Sequence, residues 1–171
     1  MSTVTYISPQ EAFDFLVDFP SYQNYTEYLD GVERFGDGTA GTQYHINLSW
    51  WKFTYTTKTR VVELTEPERV KWQVIKDVDA HGSWQITDVS NEVEIPDEHS
   101  NATRVTLRIN YDRSSVGPGI IDLPPFLSLD RVIEKAKGVV VDEGEKVVQR
   151  MVADLEGSPR PVEIKVEKGK L

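Results

Sequence analysis

From residue 41 to residue 112 apolar and polar positions alternate, and from residue 126 to residue 155 the apolar positions recur at helical spacing. Strict alternation marks strands with one buried face, whereas recurrence at i, i+3, i+4 and i+7 marks a helix with an apolar stripe. Residues 41–51 carry Tyr44, Ile46, Leu48 and Trp50 against His45, Asn47 and Ser49, with Trp51 out of phase. Residues 53–64 place Phe53, Tyr55, Thr57 and Thr59 in phase, and the doublet Val61-Val62 breaks the alternation where a bulge would sit. Val70, Trp72 and Val74 share a face in 69–76, as do Trp84 and Ile86 in 82–89. Residues 91–95 are expected to extend that last strand. Residues 103–112 alternate most regularly, with Val105, Leu107, Ile109 and Tyr111 inward.

Helices flank this run of strands. A short strand, 4–7, leads into Ser8-Pro9-Gln10-Glu11. That is a helix start: Ser8 caps, Pro9 suits the first turn and Glu11 sits at the capping-box offset. Ala12, Phe13, Leu16 and Val17 form its stripe, and Pro20 stops it. Residues 22–29, rich in tyrosine, read as a second short helix or turn, and 31–35 as a strand. The 126–155 helix would be about 45 Å long, against about 33 Å for a ten-residue strand. Its stripe is Leu129, Val132, Ile133, Ala136, Val140, Val147, Met151 and Leu155. Gly138 and Gly144 each cost about 1 kcal/mol relative to alanine inside a helix and mark a kink or a close approach. The 113–125 linker holds Gly117-Pro118-Gly119 and apolar residues that suit a packed loop.

The predicted class is α+β, a curved antiparallel sheet wrapped around a long C-terminal helix, with one or two short helices after the first strand. One helix laid across a curved sheet cannot fill the space it encloses, so an internal cavity follows. One domain, 1–156, accounts for these elements, and 157–171 forms a tail or an extra edge strand carrying Val162, Ile164 and Val166.

Charge and composition narrow the partners. A net charge of -9 disfavours nucleic acid, because neutralising phosphates needs clustered Lys and Arg. It equally disfavours anionic membrane surfaces and suits solubility, in a high-salt cytoplasm among others. No apolar run is long enough for a membrane span. No signal peptide is expected, and the absence of cysteine removes disulfides and thiolate chemistry and suits a cytoplasmic protein. His45, His81 and His99 lack metal-ligand spacing, so neither a metal nor another cofactor is expected.

Several segments resemble the START/Bet v 1-like (SRPBCC) superfamily, and within it the polyketide cyclase/dehydrase-like branch. The residues that carry the likeness are SPQEAFDFLVDFPSY (8–22), VVELTEPERVKWQV (61–74), GSWQI (82–86) and the Gly-Pro-rich entry to the last helix. The resemblance implies a helix-grip fold over residues 1–156. Tyr25 stands where such proteins often carry Trp, and the tail after Gly157 has no counterpart in the pattern. The fold hosts lipid carriers, receptors and cyclases alike, so it does not by itself assign a role.

The expected ligand is a hydrophobic small molecule: a lipid, an isoprenoid or an aromatic polyketide-like compound. The inward residues Tyr44, Trp50, Tyr55, Trp72, Trp84, Leu107, Tyr111, Ile133, Val140 and Met151 are the candidate cavity wall. Glu63, Asp112 and Glu143 are candidate polar groups, which a cofactor-independent cyclase or dehydratase would use as general acid or base. Tyr25, Tyr28, Gly117 and Ile120 are candidate gate residues. A protein-interaction module, using residues 162–166 or the acidic face, is the remaining alternative.

Overall fold

The structure, a computed structural model, describes residues 1–50, 53–115 and 129–165, and for residues 50, 53, 113 and 129–142 the backbone alone. Among the described residues seven strands form one antiparallel sheet: β1 (Ser2–Thr5), β2 (Leu29–Phe35), β3 (Gln43–Trp50), β4 (Phe53–Thr65), β5 (Arg69–Val74), β6 (Ala80–Asp88) and β7 (Thr103–Tyr111). The spatial order is β1-β7-β6-β5-β4-β3-β2, so consecutive strands from β2 to β7 are hairpin neighbours and β1 closes onto β7. The α-helices among the described residues are α1 (Pro9–Val17) and α2 (Leu129–Glu156).

The start of α1 follows the capping chemistry of its sequence. Ser8 Oγ accepts from Glu11 N at 3.3 Å, and Glu11 Oε2 accepts from Ser8 N at 2.9 Å. The helix buries Ala12, Phe13 and Leu16. It ends at Val17, and Pro20 falls inside a 3-10 helix, Phe19–Asn24, in the region where a second short helix or turn is expected.

Register places the alternating residues on one face. Tyr44 pairs with Thr59, Leu48 with Tyr55, Val61 with Trp72, Trp72 with Gly82, Trp84 with Leu107 and Ala80 with Tyr111. The register shift between Val61 and Glu63 is the bulge expected at the valine doublet, and it leaves Val62 exposed. Beyond it Leu64 returns to the inner face opposite Val70, while Glu63 lies opposite Lys71 on the outer one. Gly82 has a steric reason: a Cβ there would overlap the Trp72 indole.

Residues 91–95 do not extend β6. Val89 N donates to Ala102 O at 2.8 Å and Glu92 N donates to Val89 O at 2.8 Å, so the chain turns as the strand ends. Asn91, Glu92 and Glu94 are exposed there, while Val93 and Ile95 are half-buried within the turn.

The core sits at one end of the inner face. Ile7, Phe13, Leu16, Val70 and Ile86 are buried together, with Phe15, Leu64, Trp84, Val105 and Leu155 packed around them. At the other end of the same face Leu48, Ile109 and Tyr111 are exposed. The tail turns at Gly157, whose φ of 77° suits glycine, and runs back along β1. Ser2 N donates to Lys165 O and Lys165 N to Ser2 O, both at 2.8 Å, so among the described residues the tail meets the sheet edge through one antiparallel bridge.

Candidate functional site

A cavity of about 80 Å³ lies beside the core, between the β1-β7-β6 side of the sheet, α1 and the last turns of α2. The helix supplies Val148, Met151, Val152 and Leu155, the i, i+3, i+4, i+7 set that puts four side chains on one stripe. Trp84, Val105 and Leu107 form the sheet wall, and Ala12, Phe15 and Leu16 come from α1. Met1 and Ile164, from opposite ends of the chain, complete it. Gly144 lies next to Met1: an added Cβ would stand 3.6 Å from Met1 Cε, an ordinary contact that leaves room for a side-chain carbon.

The hydroxyls at the wall already have partners within the protein. Thr5 Oγ1 donates to Glu156 Oε1 at 2.9 Å and Thr3 Oγ1 to Glu163 O at 3.0 Å. Ser2 Oγ accepts from Thr106 Oγ1 at 3.2 Å. What remains is an apolar wall that would recognise a guest by shape and by removal of its apolar surface from water.

Glu156 closes the site at its base. Its side chain is only 1% exposed, yet its carboxylate receives Arg160 Nε at 2.6 Å, Arg160 Nη2 at 2.8 Å and Tyr6 N at 2.8 Å. Burial pushes this carboxyl up, but the bonds from Arg160, Tyr6 and Thr5 outweigh it and hold it below the ordinary glutamate value. Arg160 Nη2 also donates to Val4 O at 2.9 Å, and the guanidinium sits 4.4 Å from the Tyr6 ring centroid. These contacts join the end of α2 to β1.

Of the expected wall residues, Trp84, Leu107 and Met151 line the cavity. Tyr44 is buried against Phe19, with ring centroids 4.7 Å apart. Tyr55 donates to Asp77 Oδ2 at 3.4 Å, Trp72 covers Gly82, and Tyr111 is exposed. The side chains of Trp50, Ile133 and Val140 lie outside the described residues.

None of the three candidate carboxylates lines this cavity. Glu63 is paired with Arg69 at 2.6 Å and Lys71 at 2.7 Å, and these bonds hold its pKa down to about 2. Asp112 accepts from Ser114 Oγ at 2.7 Å and Ser114 N at 2.8 Å, which keeps it below the usual aspartate value. The bond from Lys146 at 3.1 Å, and to a smaller extent that from Arg150 at 3.2 Å, holds Glu143 below the usual glutamate value.

Tyr25 packs edge-on against the wall residue Phe15, with centroids 5.6 Å apart. Its hydroxyl donates to Asp154 Oδ2 at 2.5 Å, and its carbonyl accepts from Arg150 Nη1 at 2.7 Å, so it is tied to α2. Burial, helped by Asp154, pushes the phenol up to about 12. Tyr28 does not line the cavity, and its carbonyl accepts from Ser49 N at 2.9 Å. Gly117 and Ile120 lie outside the described residues. Among the described residues no helix is long and apolar enough to cross a membrane.

Residues 6–124 match the family described as polyketide cyclase / dehydrase and lipid transport, and the chain belongs to that SRPBCC-type family. The fold is the helix-grip fold of START-like proteins. The Zhui aromatase/cyclase from Streptomyces sp. R1128 superposes with a TM-score of 0.60 at 12% identity, covering 91% of each chain. A START superfamily protein from Mycobacterium smegmatis gives 0.58 at 14% identity, over 91% of this chain and 96% of that one. The di-domain ARO/CYC StfQ from the steffimycin biosynthetic pathway gives 0.56 at 10% identity, over 92% of this chain and 50% of its own. No curated protein matches the chain significantly.

Proposed function

We propose that this protein binds the apolar part of a hydrophobic small molecule (a lipid, an isoprenoid or an aromatic polyketide-like compound) in the cavity beneath the end of α2. The observation that carries this reading is the wall itself: apolar side chains from α1, α2 and the sheet, with the wall hydroxyls already bonded to protein atoms. A volume of about 80 Å³ is smaller than the roughly 150 Å³ of an engineered cavity that takes benzene. The cavity as it stands therefore suits the end of a chain or ring system, not a whole ligand of ordinary size, for which sites run to about 300–1,000 Å³.

The family description spans both chemistry and carriage. Support for carriage over a cyclase or dehydratase reaction comes from the carboxylates. A general acid needs a pKa raised toward neutrality and reach to the substrate. Glu63, Asp112 and Glu143 are all lowered and all lie away from this wall. Residues 162–165 turn Ile164 into the protein's own cavity, which supports binding over a docking role for that segment. Native mass spectrometry against a library of lipids and polycyclic aromatics tests the reading. Retention of apolar compounds, with NMR shifts at Trp84, Leu107 and Met151, is expected. Retention of none of them would overturn it.

A further inference from the structure

The last wall residue of the cavity comes from a segment held far more lightly than the rest. β1 pairs with β7 over four successive positions, Ser2 to Thr5, but among the described residues its other edge pairs with the tail at Ser2 and Lys165 alone. Between Arg160 and that bridge the tail's link to β1 is the bond from Thr3 Oγ1 to Glu163 O. Its side chains nevertheless alternate, with Val162 and Ile164 half-buried and Pro161, Glu163 and Lys165 exposed. The segment has the pattern of an edge strand, with one rung of the ladder among the described residues. It also lies beyond residues 6–124, so the family match does not account for it.

From this we infer that residues 161–165 form a detachable wall of the cavity, with Ile164 setting the size of guest that fits while the wall is closed. The inference rests on the apolar-guest reading above. Arg160 is the fixed end: its bonds to Glu156 and Val4 O anchor the segment at the base of α2, and the bridge at Lys165 is the end that opens. A guest too large for about 80 Å³ enters by displacing Ile164 from its place beside Leu155, Val105 and the other wall residues. Among the described residues, opening breaks two backbone hydrogen bonds and one hydroxyl bond, all at an edge where water replaces them. The apolar surface that Ile164 leaves is covered by the guest.

The absence of cysteine makes a direct test available. In a hydrogen-bonded antiparallel pair the Cα atoms stand about 5.5 Å apart, within the range a disulfide spans. The double variant Ser2→Cys/Lys165→Cys can therefore be compared with itself, oxidised and reduced, with the apolar fluorophore N-phenyl-1-naphthylamine as probe. The reduced form is expected to bind the probe, and the oxidised form about tenfold more weakly, since an apparent affinity falls with the fraction of open molecules. Ile164→Ala is expected to bind it more tightly than the unaltered chain. Equal affinity in the oxidised and reduced forms, with binding in both, overturns the detachable wall and leaves the guest site standing. Failure of the reduced form and of Ile164→Ala to bind the probe overturns both.

Discussion

Arg160 reaches back one helical turn beyond the end of α2 to grip Glu156 through two bonds of 2.6 and 2.8 Å, and the Glu156 side chain is 1% exposed. The pair is the joint at which the last helix, the first strand and the tail meet. Removing one partner of a buried pair leaves a charge without compensation, typically at about 3–5 kcal/mol. Arg160→Ala is therefore expected to lower unfolding free energy by about that amount in urea titrations, because Glu156 stays buried. A cost below about 1 kcal/mol would mean the carboxylate is hydrated in solution.

The same joint has a pH signature. Glu156 has a folded pKa below its ordinary value of 4.5, so its contribution is present above that value. It is lost as the pH falls through the lower folded value, because the unfolded chain then binds the proton more readily. Thermal melts from neutral to acid pH are expected to show Glu156→Gln converging on the unaltered protein at low pH and falling below it at neutrality. A constant gap across the range would contradict the ion pair.

Trp72 and Gly82 make a second coupled pair. A methyl at position 82 would overlap the indole, and forcing extra volume into a packed site costs about 1–3 kcal/mol. Gly82→Ala should show that loss, and Trp72→Phe should absorb part of it. A double-mutant cycle reads the coupling directly, and additivity of the two changes would show that the indole does not occupy the space over Gly82.

Filling the cavity should remove the site while keeping the fold. Val148→Phe projects a larger side chain from the α2 stripe into the wall. It is expected to weaken binding of N-phenyl-1-naphthylamine about tenfold, with a stability change of no more than about 1–3 kcal/mol. Glu63→Gln, on the outer face among Arg69 and Lys71, is the matching control and should leave probe affinity unchanged. A loss of binding in Glu63→Gln would place the guest on the outer face.

Period-two alternation in the sequence identifies the inner face, including Trp84 and Leu107, because neighbouring strands in register must present their apolar sides together. It does not identify which part of that face is covered. Leu48, Ile109 and Tyr111 alternate as regularly as Trp84 but end up exposed, since coverage depends on where the helices cross. On α2 the spacing identifies Met151 and Leu155 but favours Val147 over the cavity residues Val148 and Val152. One step of helix phase is hard to fix across a valine pair. Phe15 sits one position off the α1 stripe and was not legible as a wall residue. Ile164 carried a signal, the Val162-Ile164-Val166 alternation, but the bridge that seats it, between Lys165 and Ser2, spans most of the chain and has no local trace. Glu156 and Arg160 carried another, opposite charges four residues apart at a helix end, which reads as a surface pair until burial is known.

The space beneath α2 can be probed with an atom that requires no chemistry. Xenon enters dry apolar cavities, and crystals pressurised with it report occupancy site by site. A single xenon peak enclosed by Trp84, Leu107, Met151, Val152 and Ile164 is the predicted result. An interior with no xenon there, its side chains closed over the space, would contradict the account.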